Sequence, residues 1–339
     1  MASVDFAVAD IFSDVPFRGN PLAVVDTTSG RPLSTSQQQL ITRQFNLSET
    51  TFILPATQAS ATYRLRSFLP DGREVFGAGH NILGAWWHLA ANGLLDFSER
   101  NIHRNLENGT QVFRFQQELG EDTIPVLVHR SKSPQGNDSF QVVLRQAPPQ
   151  LHGIHPNKAS LAKSFGLTDT DIGLVASHSD FVLPPQVAST STTHHLLVPL
   201  GSVDALNRAV VQKESLLEQL AAVDKRAYGL FLFTRTGNQQ YEARFFSPGM
   251  SGEDPATGSA AGPLSVYLHE HGELKLSDGT AEIEVRQGLQ VGRDCLIKVV
   301  LSLDSSGAGG EDVRHADLVG GGVLISKGTI KVPDETLKF

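Results

Sequence analysis

Cysteine is almost absent: one thiol, Cys295, stands in a chain of 339 residues. An internal disulfide is thereby excluded, as is any reaction needing two thiols on opposite faces of a substrate. Cys295 lies in GRDCLIKVV, whose alternation reads as a strand, so a buried structural thiol is expected. No apolar run approaches the ~18 residues of a membrane span. The segment MASVDFAVADIFSDV carries Asp5, Asp10 and Asp14 instead of a basic stretch followed by an apolar one. No secretory signal is read there, and a cytoplasmic location is expected. No block of Lys and Arg interrupts the net charge of −8, which argues against a nucleic-acid partner or an anionic membrane surface.

What is present is ordinary globular material. Apolar residues make up 40% and charged residues 19%, and the length favours two domains over one. VDFAVADIF, NPLAVVD, TTFILP and ATYRLRSFL read as strands, STSQQQLITRQF as a helix with hydroxyl caps, and NILGAWWHLAANGLL as a helix stopping near Gly93. In the second half SFQVVLRQA, HHLLVPL, GLFLFTR, YEARFFS, TAEIEVRQG, CLIKVVLSL and GVLISKGTIKV read as strands. NRAVVQKESLLEQLAAV reads as one amphipathic helix and GPLSVYLHEHG as another, while SKSPQGND and DSSGAGGED read as loops.

The chain also repeats itself. YRLRSFLPDGREVFGAGHNILGAWW begins at Tyr63 and YEARFFSPGMSGEDPATGSAAGPLSVY at Tyr241. Tyr63, Arg66, Phe68 and Pro70 match Tyr241, Arg244, Phe246 and Pro248 at one constant spacing, and one residue of slip later Gly79 matches Gly258. Each copy reads strand, turn, glycine-rich bend, helix. Two related halves facing across a cleft are expected, with chance similarity of two strand–loop–helix units as the alternative.

The bends GAGH and ATGS each open a helix. A helix start exposes backbone N–H groups and a partial positive charge, and Gly, Ala and Ser let an anion approach them. Two such starts would hold a carboxylate without Arg or Lys. Against this stand close helix–strand packing as the glycines' whole purpose and Ser259 as a simple N-cap. Gly77, Gly79 and Gly84 do not fit a dinucleotide fingerprint, and no Walker lysine is present.

Near the bends lie Glu49 in NLSETTF, His80, Glu253 and Asp254. His80 follows Gly79 at a helix start, where the dipole favours the neutral imidazole. Glu49 stands between a helix and a strand, a place for a partly buried acid/base. Each taken singly also fits a surface acid or a satisfied core histidine. HEHGE and His194–His195 offer no metal spacing, since neighbours on a strand point to opposite faces.

FSDVPFRGNPLAVV, NLSETTFIL, GAGHNILGAWW and GEDPATGSAAG, in this order, resemble the PhzF-like family of phenazine biosynthesis, which has the diaminopimelate epimerase-like fold. The resemblance spans nearly the whole chain. It implies an α+β fold of two similar domains, each a curved, mostly antiparallel sheet or barrel around a central helix. The boundaries are expected at 1–128 plus about 328–339 and at 129–327. It further implies a cofactor-free isomerase without a metal, commonly a homodimer, acting on a small carboxylate in secondary metabolism. Glu49 would be the general acid/base, with His80 and Asp254 as polar companions. Gly79, Asn81, Thr257, Gly258 and Ser259 would bind the substrate, and Asn20 would shape the pocket. The segment 96–139 is polar and divergent. One base returning the proton on the same face gives a double-bond shift. The alternatives are epimerisation or racemisation with Asp254 or His80 opposite Glu49, and a carboxylate-binding protein without catalysis.

Overall fold

In the computed structural model, residues 2–77, 79–133, 135–190, 193–249, 252–304 and 313–339 are described, and they divide into two units. The loop segment DSSGAGGED lies largely outside the described residues, as does Ala78 of the first bend. The first unit comprises Met1–Leu144 with Val319–Phe339, the second Arg145–Leu318.

In the first unit the alternating N-terminal stretch forms the strand Ser3–Ile11. It pairs antiparallel with Gly322–Lys331 on one side and Asn20–Asp26 on the other. Asn20–Asp26 then runs parallel to Thr50–Pro55, which pairs antiparallel with Tyr63–Phe68. Tyr63–Phe68 lies parallel to Gln111–Leu119, followed antiparallel by Asp122–Lys132 and Asp138–Arg145. This pairing carries residues 129–144 with the first unit, and the pairing of Gly322–Lys331 with the N-terminal strand does the same for 322–327. The unit boundaries therefore fall at 144/145 and 318/319, where sequence reading put them at 128/129 and 327/328.

The parallel step between Asn20–Asp26 and Thr50–Pro55 is bridged by the helix Thr35–Phe45. Its N-cap Ser34 and Gln37 form a capping box, which satisfies two backbone donors of the first turn. The helix Gly79–Ala91 is buried along almost its whole length and packs on five strands of this unit. A helix apolar on every side can only be central. Trp86 is fully buried there, donating Nε1–H to Gln117 Oε1 at 2.7 Å and stacking on Phe115. The polar-looking stretch 96–139 supplies Phe97 and Phe113 to the same aromatic cluster, as well as Phe115.

The second unit repeats the pattern. Gln150–Ile154, Gln186–Ser189 and His194–Pro199 pair antiparallel in turn, and His194–Pro199 runs parallel to Gly229–Gly237. Gly229–Gly237 pairs antiparallel with Gln240–Phe246, which lies parallel to Thr280–Gln287, and Thr280–Gln287 pairs antiparallel with Cys295–Asp304. Cys295 is fully buried in that strand. The central helix is Gly258–Glu270. It begins four residues before the apolar pattern suggests, because Ala256, Ala260 and Ala261 are buried and pack as core despite their small side chains.

One expected helix is two. Val203–Arg208 ends at Ala209, and a second helix starts at Lys213. The guanidinium of Arg244 takes the carbonyls of Leu206 and Ala209 at 2.7 and 2.8 Å, and Val210 N–H donates to Phe165 O instead of continuing the helix. Leu206, Leu216 and Leu220 still face one core with Leu161 and Phe165, so the amphipathic pattern survives the break.

Candidate functional site

In the first unit the strands Asn20–Asp26 and Thr50–Pro55 run parallel, so both begin at the same end of the sheet. Glu49 immediately precedes the second of them, after the left-handed Asn46 that closes the helix Thr35–Phe45. The helix Gly79–Ala91 opens against the same end, and His80 Nδ1 lies 3.1 Å from Glu49 Oε2. The imidazole is buried, and the Glu49 side chain keeps 16% exposure. The Nδ1–H tautomer of His80 donates to Glu49 Oε2, and among the described residues Glu49 Oε1 makes no hydrogen bond. Asn20 and Asn81 are also buried, and neither polar atom of the Asn81 side chain finds a partner among the described residues. Leaving such groups unmatched costs about 1–3 kcal/mol, a cost that a bound polar molecule would offset.

In the second unit Asp254 lies in the short strand Glu253–Asp254, paired with Phe245 and Phe246. Thr257 is the N-cap, and its hydroxyl donates to Asp254 Oδ2 at 2.7 Å. Gln287 braces both: its Oε1 accepts from Thr257 N–H at 3.1 Å, and its Nε2 donates to Asp254 O at 2.6 Å. Ala260 and Ala261 N–H return to Thr257 O, while Gly258 and Ser259 precede any helical acceptor for their own amides. Ser259 is not the cap. Its hydroxyl lies 3.0 Å from His195 Nε2. Packing also shapes this bend: a methyl on Gly262 would overlap Gln146, whose amide donates to Gly258 O at 3.0 Å.

Histidine burial makes a pH prediction. Burial pushes His195 down to about 3, with neighbouring His194 adding to the effect. Between that value and the ordinary 6.5 the unfolded chain binds a proton that the folded chain does not, so stability falls as pH falls through the window. Burial lowers His88, His129, His155, His194 and His271 as well, with the same sign. From His195 alone, urea unfolding near pH 5 should give about 2 kcal/mol less stability than near pH 7.5. His195→Phe should make that slope shallower, leaving the part due to the other histidines, and an unchanged slope would contradict the assignment.

The repeat gives each site residue a counterpart. In both units an arginine on the strand clasps a glutamate on the two-residue strand that follows: Arg66 with Glu74 (2.7 Å), Arg244 with Glu253. Beyond this clasp the copies diverge. Strand register sets Thr50 opposite Phe68 and Leu230 opposite Phe246, so Glu49 corresponds to Gly229. Likewise Asp254 corresponds to Val75, and Ser259 to His80. The scaffold is duplicated, but the chemistry is not.

Residues 9–328 match the family model described as phenazine biosynthesis-like protein, PhzC-PhzF. The chain belongs to the phenazine biosynthesis-like family. It is 27% identical over 328 residues to the trans-2,3-dihydro-3-hydroxyanthranilate isomerase of Pseudomonas fluorescens, an alignment covering 96% of this chain and 99% of that protein. It is 29% identical to the uncharacterized isomerase YddE of Escherichia coli K12, covering 87% and 89%. The crystal structure of a PhzF-family phenazine biosynthesis protein from Bacillus anthracis superposes with a TM-score of 0.78 at 24% identity, covering 98% of this chain and all of that one. The phenazine biosynthesis-like chain thus has the α+β, diaminopimelate epimerase-like fold of two similar domains, and it is an isomerase.

For this member of the phenazine biosynthesis-like family, sequence reading did not single out Gln287 or assign His195 a role. His194 and His195 do point to opposite faces: His194 stacks on His152, and His195 is buried against Ser259. Only the burial of one of two adjacent histidines within HHLLVPL could have flagged it. Among the described residues no helix is long and apolar enough to cross a membrane, and no group of three His, Cys, Asp or Glu is placed to hold a metal.

Proposed function

We propose that this protein is a cofactor-independent isomerase that shifts a double bond in a small unsaturated or cyclic carboxylate, with Glu49 as its single acid/base. The observation carrying this reading is the asymmetry of the repeat. Glu49 is half-buried and held by His80, and its counterpart Gly229 has no side chain. Two-base inversion calls for comparable groups on both faces of a stereocentre, and the fully buried Cys295 is not placed to be one.

In the proposed reaction Glu49 Oε1 removes a proton from a carbon adjacent to, or conjugated with, the carboxylate. The electron pair of that C–H bond spreads into the conjugated system and the double bond moves; Glu49, whose side chain is 16% exposed, exchanges its proton with solvent and delivers one to the far carbon. Substrate-holding roles are proposed for the first-turn amide at Gly79 in the first unit and, in the second unit, for those at Gly258 and Ser259 with the Thr257-braced Asp254. Asn81 and Asn20 would supply the remaining polar contacts.

The compound named for the Pseudomonas fluorescens relative, trans-2,3-dihydro-3-hydroxyanthranilate, has the required chemistry: a ring carboxylate with a mobile hydrogen. Incubation in heavy water should place deuterium at the ring carbon that gains the proton. A panel of cyclic dienoic acids extends the test. Label confined to an inverted stereocentre would replace isomerisation by epimerisation, and no exchange with any member of the panel would leave a binding protein.

A further inference from the structure

His195 is sealed in the second unit. Its ring meets Tyr228 and Phe245 edge-on, with centroids 4.9 and 5.0 Å away. A methyl on Gly229 would press on its Nδ1 at 2.5 Å and on the Phe245 ring at 2.4 Å. Glycine at 229 is therefore what admits the imidazole: the position matching Glu49 carries no side chain, and a histidine from the neighbouring strand lies against the space. Among the described residues Nδ1 has no hydrogen-bond partner, so the ring's one polar contact is Nε2 with Ser259 Oγ. In each unit the residue after the helix-opening glycine meets a side chain from a neighbouring segment, His80 that of Glu49 and Ser259 that of His195.

We propose that His195 is a positioning residue, whose Nε2–H donates to Ser259 Oγ and so turns the serine's own proton toward the substrate carboxylate. This rests on the reading that Ser259 meets that carboxylate. A buried N–H without an acceptor is rarer than a bare lone pair, which puts the ring's proton on Nε2, where an acceptor exists. The reverse arrangement would spend the hydroxyl proton on the ring and aim oxygen lone pairs at an anion. No carboxylate orients Nδ1 among the described residues, and burial holds the imidazole neutral well below its ordinary range. A Ser–His nucleophile is not built here, because the ring is too weak a base at neutral pH.

Two measurements on the full chain test this. Ring-nitrogen NMR of histidine-labelled protein should show His195 neutral at pH 7 with its proton on Nε2; a proton on Nδ1, or a charged ring, overturns the proposal without any ligand. The second uses 3-hydroxyanthranilate, the stable aromatic analogue of the relative's substrate, as a binding probe. Ser259→Ala should weaken it about tenfold, as befits a hydrogen bond to a charged group. His195→Phe should weaken it similarly, with no further loss in the double variant, and His195→Gln, which keeps a donor, should recover most of the affinity. Equal melting of the variants by circular dichroism separates positioning from unfolding. An unchanged affinity in Ser259→Ala, or no binding by the wild type, overturns the carboxylate reading and this inference with it. A weakened Ser259→Ala beside an unaffected, folded His195→Phe overturns this inference alone.

Discussion

Glu49→Gln should lower turnover by about 10³-fold, within the range that general acid/base catalysis supplies, while binding of a carboxylate probe changes by less than about threefold. Glutamine is close to isosteric, and its carbonyl oxygen can still accept from His80 Nδ1–H, so the change removes basicity and little else. Among the described residues Glu49 closes no ion pair other than that with His80, and its position before the strand Thr50–Pro55 is set by backbone pairing. Stability should therefore stay close to wild type. The decisive measurement is solvent-deuterium exchange into any turned-over acid, read beside probe affinity. A variant within about fivefold of wild-type exchange would remove Glu49 from the reaction.

A second large effect lies away from the chemistry. Arg244→Met should cost about 3–5 kcal/mol in urea unfolding, because it strands Glu253, half-buried, without its cation. It also frees the carbonyls of Leu206 and Ala209, which no helix would then satisfy. The matching change in the first unit, Arg66→Met, should cost only about 1 kcal/mol. Arg66 is 18% exposed against 8% for Arg244, and beyond Glu74 it meets the side chains of Thr35 and Gln38, which water can serve. Adding Glu253→Met to Arg244→Met should recover a good part of the loss, since the stranded charge goes with it. Equal costs for the two arginines would show that the carbonyl contacts contribute nothing.

These two arginines also measure how far the sequence could be read. Arg66 and Arg244 were visible as partners in the repeat, yet their glutamates, Glu74 and Glu253, are offset by the one-residue slip and emerged as a matched pair only from strand pairing. The break at Ala209 was invisible, because an unbroken amphipathic pattern gives no sign that a guanidinium from a distant strand will claim its carbonyls.

The local questions were settled by the chain itself. Alternation of apolar residues set the strands, Ser34 and Gln37 set a helix start, and the lone Cys295 lay in a strand pattern that buries it. The pairing of Glu49 with His80 was suggested only by motif company, since 31 positions separate them, and that of Ser259 with His195 spans 64. Periodicity encodes which face of an element is apolar, and it does so within a few residues. Which side chains from separate elements meet depends on sheet register and on the volume that glycines such as Gly229 leave open, and those are properties of the folded chain alone.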